Sequence, residues 1–267
     1  ALNAAAGKTL YLEEGKTYGY TTLPIKAGTT IVSNGATFNR LTASTSHGFV
    51  IEGGVTVDSL VITTPGGASG DKGVLIKGSH VEFGRLSITA AAQGVYNSTN
   101  YAVEIESVPS GTQLSNITIS DFYCKYFSAG MFVKNVDRMR VDGALVDYFR
   151  TAFYLRDVSR SEFSNVTCRY TASTSYGGPG ENGLLIESTL SSASCFDLRF
   201  NGWTVIGAGE HSYRLGGQLS IRDVWFDNCR SWGSGSSIVV NNPAATEWHG
   251  GCGFKVLGAT AVTSQKH

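Results

Sequence analysis

Residues 151–171, TAFYLRDVSRSEFSNVTCRYT, read as three short strands joined by tight turns. Phe153 and Leu155 alternate with Tyr154 and Arg156, the period of two of a half-buried strand. A polar turn follows, then Phe163, the pair Ser164-Asn165, and Val166 with Cys168. The opening strand recurs as HGFVIEG (47–53), KGVLIKG (72–78), YAVEIES (101–107), AGMFVKN (129–135), TAFYLRD (151–157), NGLLIES (182–188) and SYRLGG (212–217), with SSIVVNN (236–242) as a weaker eighth copy. Each copy opens on a small residue: Gly48, Gly73, Ala102, Gly130, Ala152, Gly183 and Ser212, spaced by 25, 29, 28, 22, 31 and 29. A repeat of this length with three strands and no helical period is one coil of a parallel β-helix, not a propeller blade.

Composition agrees. Glycine supplies 33 of 267 residues, an excess that suits a fold with many tight turns. Basic and acidic residues balance at 21 each, so nothing suggests nucleic acid or a polyanion held by bulk charge. No apolar run reaches the ~20 residues of a membrane span, and no signal peptide is visible, so no membrane insertion is expected. The five cysteines (124, 168, 195, 229 and 252) show no metal-ligand spacing. Small buried thiols in a chain that folds in a reducing cytoplasm are expected, with no metal and no cofactor.

The entrance carries ALNAAAGKTLYLEEGKTY (1–18) and LPIKAGTTIVSNGATF (23–38). These segments resemble the start of pectate-lyase-like β-helices of bacteriophage tailspikes, where a helix ends in a pattern of the ALNAA-G-KTLYLP-G-TY kind and an L-I-AGTTI-SNGAT segment follows. Glu13-Glu14 departs from the usual Pro-Ala and reads as a turn change. The resemblance extends over about residues 1–260. It implies an all-β, right-handed parallel β-helix, single-stranded, of about eight to nine coils. Residues 1–45 would be its entrance, the end of a capping helix plus the first coil; 46–242 its central helix; and 243–267 a final, truncated coil. It further implies a homotrimer on the virion tail, made in the bacterial host cytoplasm and joined to other phage tail proteins through segments outside this chain. Its partner would be a bacterial surface polysaccharide (capsule, O-antigen or exopolysaccharide), bound and often depolymerised by hydrolase or lyase chemistry. A non-enzymatic receptor-binding or structural appendage is the rival reading, since fold is not function.

The same resemblance assigns a two-residue kink between second and third strands, at Asp58-Ser59, Gly84-Arg85, Ser115-Asn116, Asp142-Gly143, Ser164-Asn165, Asn201-Gly202 and Arg222-Asp223. Asn, Asp and Gly tolerate the left-handed backbone such a bend requires. Alternation then sorts the faces. Phe49, Val74, Val103, Met131, Phe153, Leu184 and Tyr213 should stack inside, as should Ile51, Ile76, Ile105, Val133, Leu155, Ile186 and Leu215. Outward run Val50, Leu75, Glu104, Phe132, Tyr154, Leu185 and Arg214. Their apolar members suggest trimer packing, an aromatic platform for sugars, or cover by a neighbouring loop. A second outward row, Glu52, Lys77, Glu106, Lys134, Arg156 and Glu187, reads as an ion-pair ladder or as the lining of a groove.

No nucleophile elbow, P-loop, dinucleotide fingerprint or zinc motif is present. Carboxylates remain, and glycoside hydrolysis needs two. In the loops that lead into the first strands, Arg150, Glu181 and Glu210 fall in one column on successive coils, beside Thr151, Asn182 and His211. Glu181 and Glu210 are therefore the candidate catalytic pair. Arg150 would hold Glu181 ionised, and Glu210, with no certain cation, would be the acid. Tyr154, His211 and Arg214 would hold sugar hydroxyls or an acidic sugar, and Tyr176 could stack on a ring. The bland alternative is a loop-bracing Arg150–Glu181 pair and a solvated turn at Glu210-His211. Asp147, Asp227 and Glu104 are the further candidates, the last open to desolvation by a neighbour. Trp225 alternates with inward Val224 and Phe226, so it should face out, either beside a sugar groove or under a neighbouring subunit.

Overall fold

The computed structural model describes residues 5–42, 44–66, 71–92, 100–107, 109, 111–170, 182–188, 195–208, 210–216, 221–234, 236–240, 246–248 and 253–256, with backbone alone at 222 and from 233 onward. The assigned elements among them are all strands. The expected residue-1 helix falls mostly outside this range, and Tyr176, Glu181 and Cys252 fall wholly outside it.

The seven full copies from His47 to Ser234 each make one turn of a parallel β-solenoid. Shorter strands, Thr9–Tyr11 to Thr37–Arg40, stack beneath them, and Ser236–Val240, Thr246–Trp248 and Gly253–Val256 stack above. Each strand pairs in parallel with the strand one coil away, which builds three faces.

The first-strand register follows the alternation. Phe49, Val74, Val103, Met131, Phe153, Leu184 and Tyr213 are consecutive partners. Every one of them is fully buried. On the second face the interior is aromatic. Phe163 stacks on Phe200 at 5.3 Å and Phe200 on Phe226 at 5.0 Å, while Trp203 meets Phe153 edge-on at 4.9 Å. Such pairs add directional preference to the burial that holds the core.

The column of small residues has a steric cause. A Cβ on Gly130 would come within 2.7 Å of the Ala152 carbonyl oxygen and 2.9 Å of a Val146 methyl, and one on Gly183 within 2.5 Å of a Val205 methyl and 2.7 Å of the Ser212 carbonyl oxygen. Val146 and Val205 belong to an inward third-strand column that reads Ile88, Cys124, Val146, Cys168, Val205, Ser231. Coils that open on Ala102 and Ala152 carry the smaller Cys124 and Cys168 in that column. In the Ser212 coil, the Ser212 and Ser231 hydroxyls hydrogen-bond each other. Volume is thus traded across the interior, coil by coil. Cys124, Cys168, Cys195 and Cys229 are buried free thiols, and burial pushes Cys195 up to about 12 and Cys124 well above its ordinary value.

The kinks need two corrections. Asp58-Ser59 and Gly84-Arg85 stand at the expected corner, but none of these four residues has left-handed backbone. Gly143 (φ 80°), Asn165 (φ 56°) and Gly202 (φ 65°) do turn the second strand into the third with left-handed backbone. Ser115-Asn116 and Arg222-Asp223 instead align with Asp137-Arg138 and Phe196-Asp197, one corner earlier. Asn116 (φ 57°) and Asp223 (φ 54°) are left-handed there too. Left-handed bends occur at both corners and draw on the same residue types, which is why residue type alone cannot tell them apart.

The outward row of the first face is largely covered within the chain: Leu75 is 8 % exposed, Phe132 6 % and Leu185 8 %. Tyr101 stacks on Phe132 at 5.0 Å, Tyr154 meets its edge at 5.1 Å, and the Arg156 guanidinium lies 5.6 Å from its ring. Three members of the expected contact patch are therefore covered within the chain, while Val50 and Tyr154 stay partly exposed. Beside it the charged row forms an ion-pair ladder, with Lys26 and Lys77 on Glu52 at 3.1 and 3.7 Å, Lys134 on Glu106 at 2.9 Å, and Arg156 on Glu187 at 3.5 Å. Part-exposed pairs of this kind contribute up to ~1 kcal/mol each.

Candidate functional site

The residues named from sequence are spread over two faces. Glu210 is half exposed, and His211 Nδ1 and Arg214 Nη1 each stand 3.9 Å from its Oε2. Glu210 thus has Arg214 and the His211 ring at the edge of ion-pair distance. The Thr151, Asn182, His211 column is real, since these residues are ladder partners. His211 Nδ1 lies 3.1 Å from Asn182 Oδ1. Burial and the nearby Arg214 lower the His211 pKa. Arg150 meets this column through its backbone, accepting from the Asn182 N–H at 3.0 Å.

Tyr154 is already engaged. Its hydroxyl donates to Glu187 and accepts from Arg156, and burial together with Glu187 pushes its pKa up to about 12. Asp147 is buried against Arg169 at 3.1 Å. Glu104 also departs from expectation. Burial raises its pKa, but hydrogen bonds from His47 (2.6 Å) and Lys72 (3.0 Å) outweigh that, and the net shift is downward. It is an anchored anion, not a proton donor.

Among the described residues, the second face holds an arrangement with room for a ligand. Because Phe163, Phe200 and Phe226 point inward in one column, their chain neighbours point out. Glu162, Arg199 and Trp225 are successive ladder partners on one side, and Ser164, Asn201 and Asp227 on the other. The Gly202 N–H donates to the Asp227 carbonyl at 2.9 Å, fixing the corner. Glu162, Arg199, Phe200, Asn201, Trp225 and Asp227 line a cleft of about 590 Å³. That size lies within the usual ~300–1,000 Å³ of small-ligand sites.

Trp225 is half buried, as its alternation with Val224 and Phe226 requires. The Arg199 guanidinium covers its ring at 5.1 Å, and Arg199 Nε stands 3.6 Å from Asp197. Glu162 and Asp227 are exposed and two coils apart. Their backbones are thus ~10 Å apart along the axis. The cleft offers an aromatic wall, an amide, a guanidinium and two carboxylates. That set suits a polyhydroxylated ring, with an apolar face to stack and hydroxyls to satisfy. Sequence reasoning reached Trp225, Asp227 and the Asn201-Gly202 bend but missed Glu162 and Arg199. The signal was the phenylalanine column, whose flanking positions define both rims.

No family model and no curated protein matches the sequence. Among solved structures the chain is similar to the enzymatically active domain of bacteriophage CBA120 tailspike protein 2, with 11% identity and a TM-score of 0.43. The match covers 93% of this chain and 42% of that one, so the chain spans less than half the length of that domain. The parallel β-helix described above stands on the strand register itself.

Proposed function

We propose that this chain is the β-helix of a phage tailspike-type protein that binds a bacterial surface polysaccharide and depolymerises it by hydrolysis. It would act as a homotrimer on the virion tail, made in the host cytoplasm. The observation that carries the binding part of this reading is the Trp225-walled cleft on the second face. The entrance segments at 1–18 and 23–38 support it through their resemblance to tailspike β-helices.

A second reading, a receptor-binding appendage without catalysis, is favoured by one observation. Glu104, one of the candidate carboxylates, has its pKa lowered, because its burial is outweighed by hydrogen bonds from His47 and Lys72. A glycosidase acid needs the opposite shift. The catalytic pair named from sequence, Glu181 with Glu210, keeps its place in the proposal, with Glu181 outside the described residues.

Incubation with purified capsules and O-antigens, followed by product mass analysis, separates the readings. Oligosaccharides carrying one added water per cut are expected. Products lighter by that water would mean lyase chemistry, and binding without products would establish the appendage.

A further inference from the structure

The charge inside the second-face cleft specifies what kind of sugar it takes. Its lining holds two carboxylates, Glu162 and Asp227, against one guanidinium, Arg199, a net charge of −1. That single cation is already committed to the Trp225 ring at 5.1 Å and to Asp197 at 3.6 Å. Of the cations on the coils around it, Arg140 and Arg160 pair with carboxylates, while Arg230 reaches only the Asn228 amide oxygen at 3.3 Å. Arg140 lies 4.0 Å from Asp142, and Arg160 lies 2.6 Å from Asp137. Among the described residues, no basic group stands within ion-pair distance of Glu162 or Asp227.

Ionised carboxylates are acceptors only. A neutral pyranose presents hydroxyl donors to them. A uronate or sialate brings a third acceptor-only anion into a lining of net negative charge, and like charges brought together repel. Asn201 adds an amide that can pair with a hydroxyl or an acetamido group. Resting on the proposed function, we infer that the Trp225 cleft is a subsite for an uncharged sugar, a neutral hexose or an N-acetylhexosamine, and that Glu162 and Asp227 exclude acidic sugars from it.

The test uses a polysaccharide that the intact protein retains, and the same polysaccharide with its primary hydroxyls oxidised to carboxylates. Affinities are measured by titration calorimetry for the wild type and for a Glu162→Gln/Asp227→Asn variant. Both positions are exposed, and unchanged circular dichroism checks the fold. The wild type is expected to bind the oxidised chain about tenfold more weakly than the parent, and the variant to bind both within about threefold. Equal wild-type affinity for the two chains would overturn the inference. So would a gap that persists in the variant, or a uronate in the natural glycan segment that Trp225→Ala releases. A protein that retains no surface polysaccharide at all would overturn the proposed function and this inference together.

Discussion

Gly183 opens its coil opposite Val205, and a Cβ there would come 2.5 and 2.6 Å from the two valine methyls. One coil back, Ala152 occupies the same place, and the residue in register with Val205 is Cys168. The pairing of small with branched and Ala with Cys is a packing rule, and it predicts a coupling. Gly183→Ala alone is expected to cost ~1–3 kcal/mol by overpacking, and Val205→Cys alone about 1 kcal/mol by lost volume. The double variant should cost less than the sum by at least ~0.5 kcal/mol. Chemical denaturation of the four proteins checks this, and strict additivity would show that the two sites do not share the space. The small residues were legible in the sequence as punctuation. Their reason was not, because the partner lies on another strand of the same coil.

On the first face, period-two alternation gave the inward columns without error, since a one-residue slip would have exposed Phe49 through Tyr213 together. It could not say what lies over the outward row, because cover comes from longer side chains one or two coils away. Glu104 shows the consequence. It is 7 % exposed, with His47 and Lys72 both on its Oε2. Its folded pKa lies below the ordinary 4.5, so its stabilisation is fully present above that pH and fades as pH falls through the folded value. Glu104→Gln is expected to cost about 2–4 kcal/mol at neutral pH, because it leaves the part-buried Lys72 ammonium without its anion and weakens the hydrogen bond from His47. Denaturation from neutral pH down through acid should show the gap to wild type closing. A gap that is constant with pH would mean Glu104 acts through shape alone.

For the molecule as a whole, the solenoid was legible from seven repeats, while the site was legible only in pieces. Loop columns such as Arg150, Glu181 and Glu210 suggested one cleft, yet loops of 171–181 length need not keep strand register. The second-face cleft required the exact pairing of three coils, which places Glu162, Arg199 and Trp225 in line. Trp225 and Asp227 were within reach of sequence reasoning because alternation fixes them locally. Glu162 and Arg199 gained meaning only once they became neighbours. The central claim, that this cleft is where the polysaccharide sits, is tested by titrating the polysaccharide retained by the wild type into Trp225→Ala. Affinity is expected to fall about tenfold or more, equivalent to ~1.4 kcal/mol, with the fold intact. Unchanged affinity would contradict the account and place the glycan elsewhere on the solenoid.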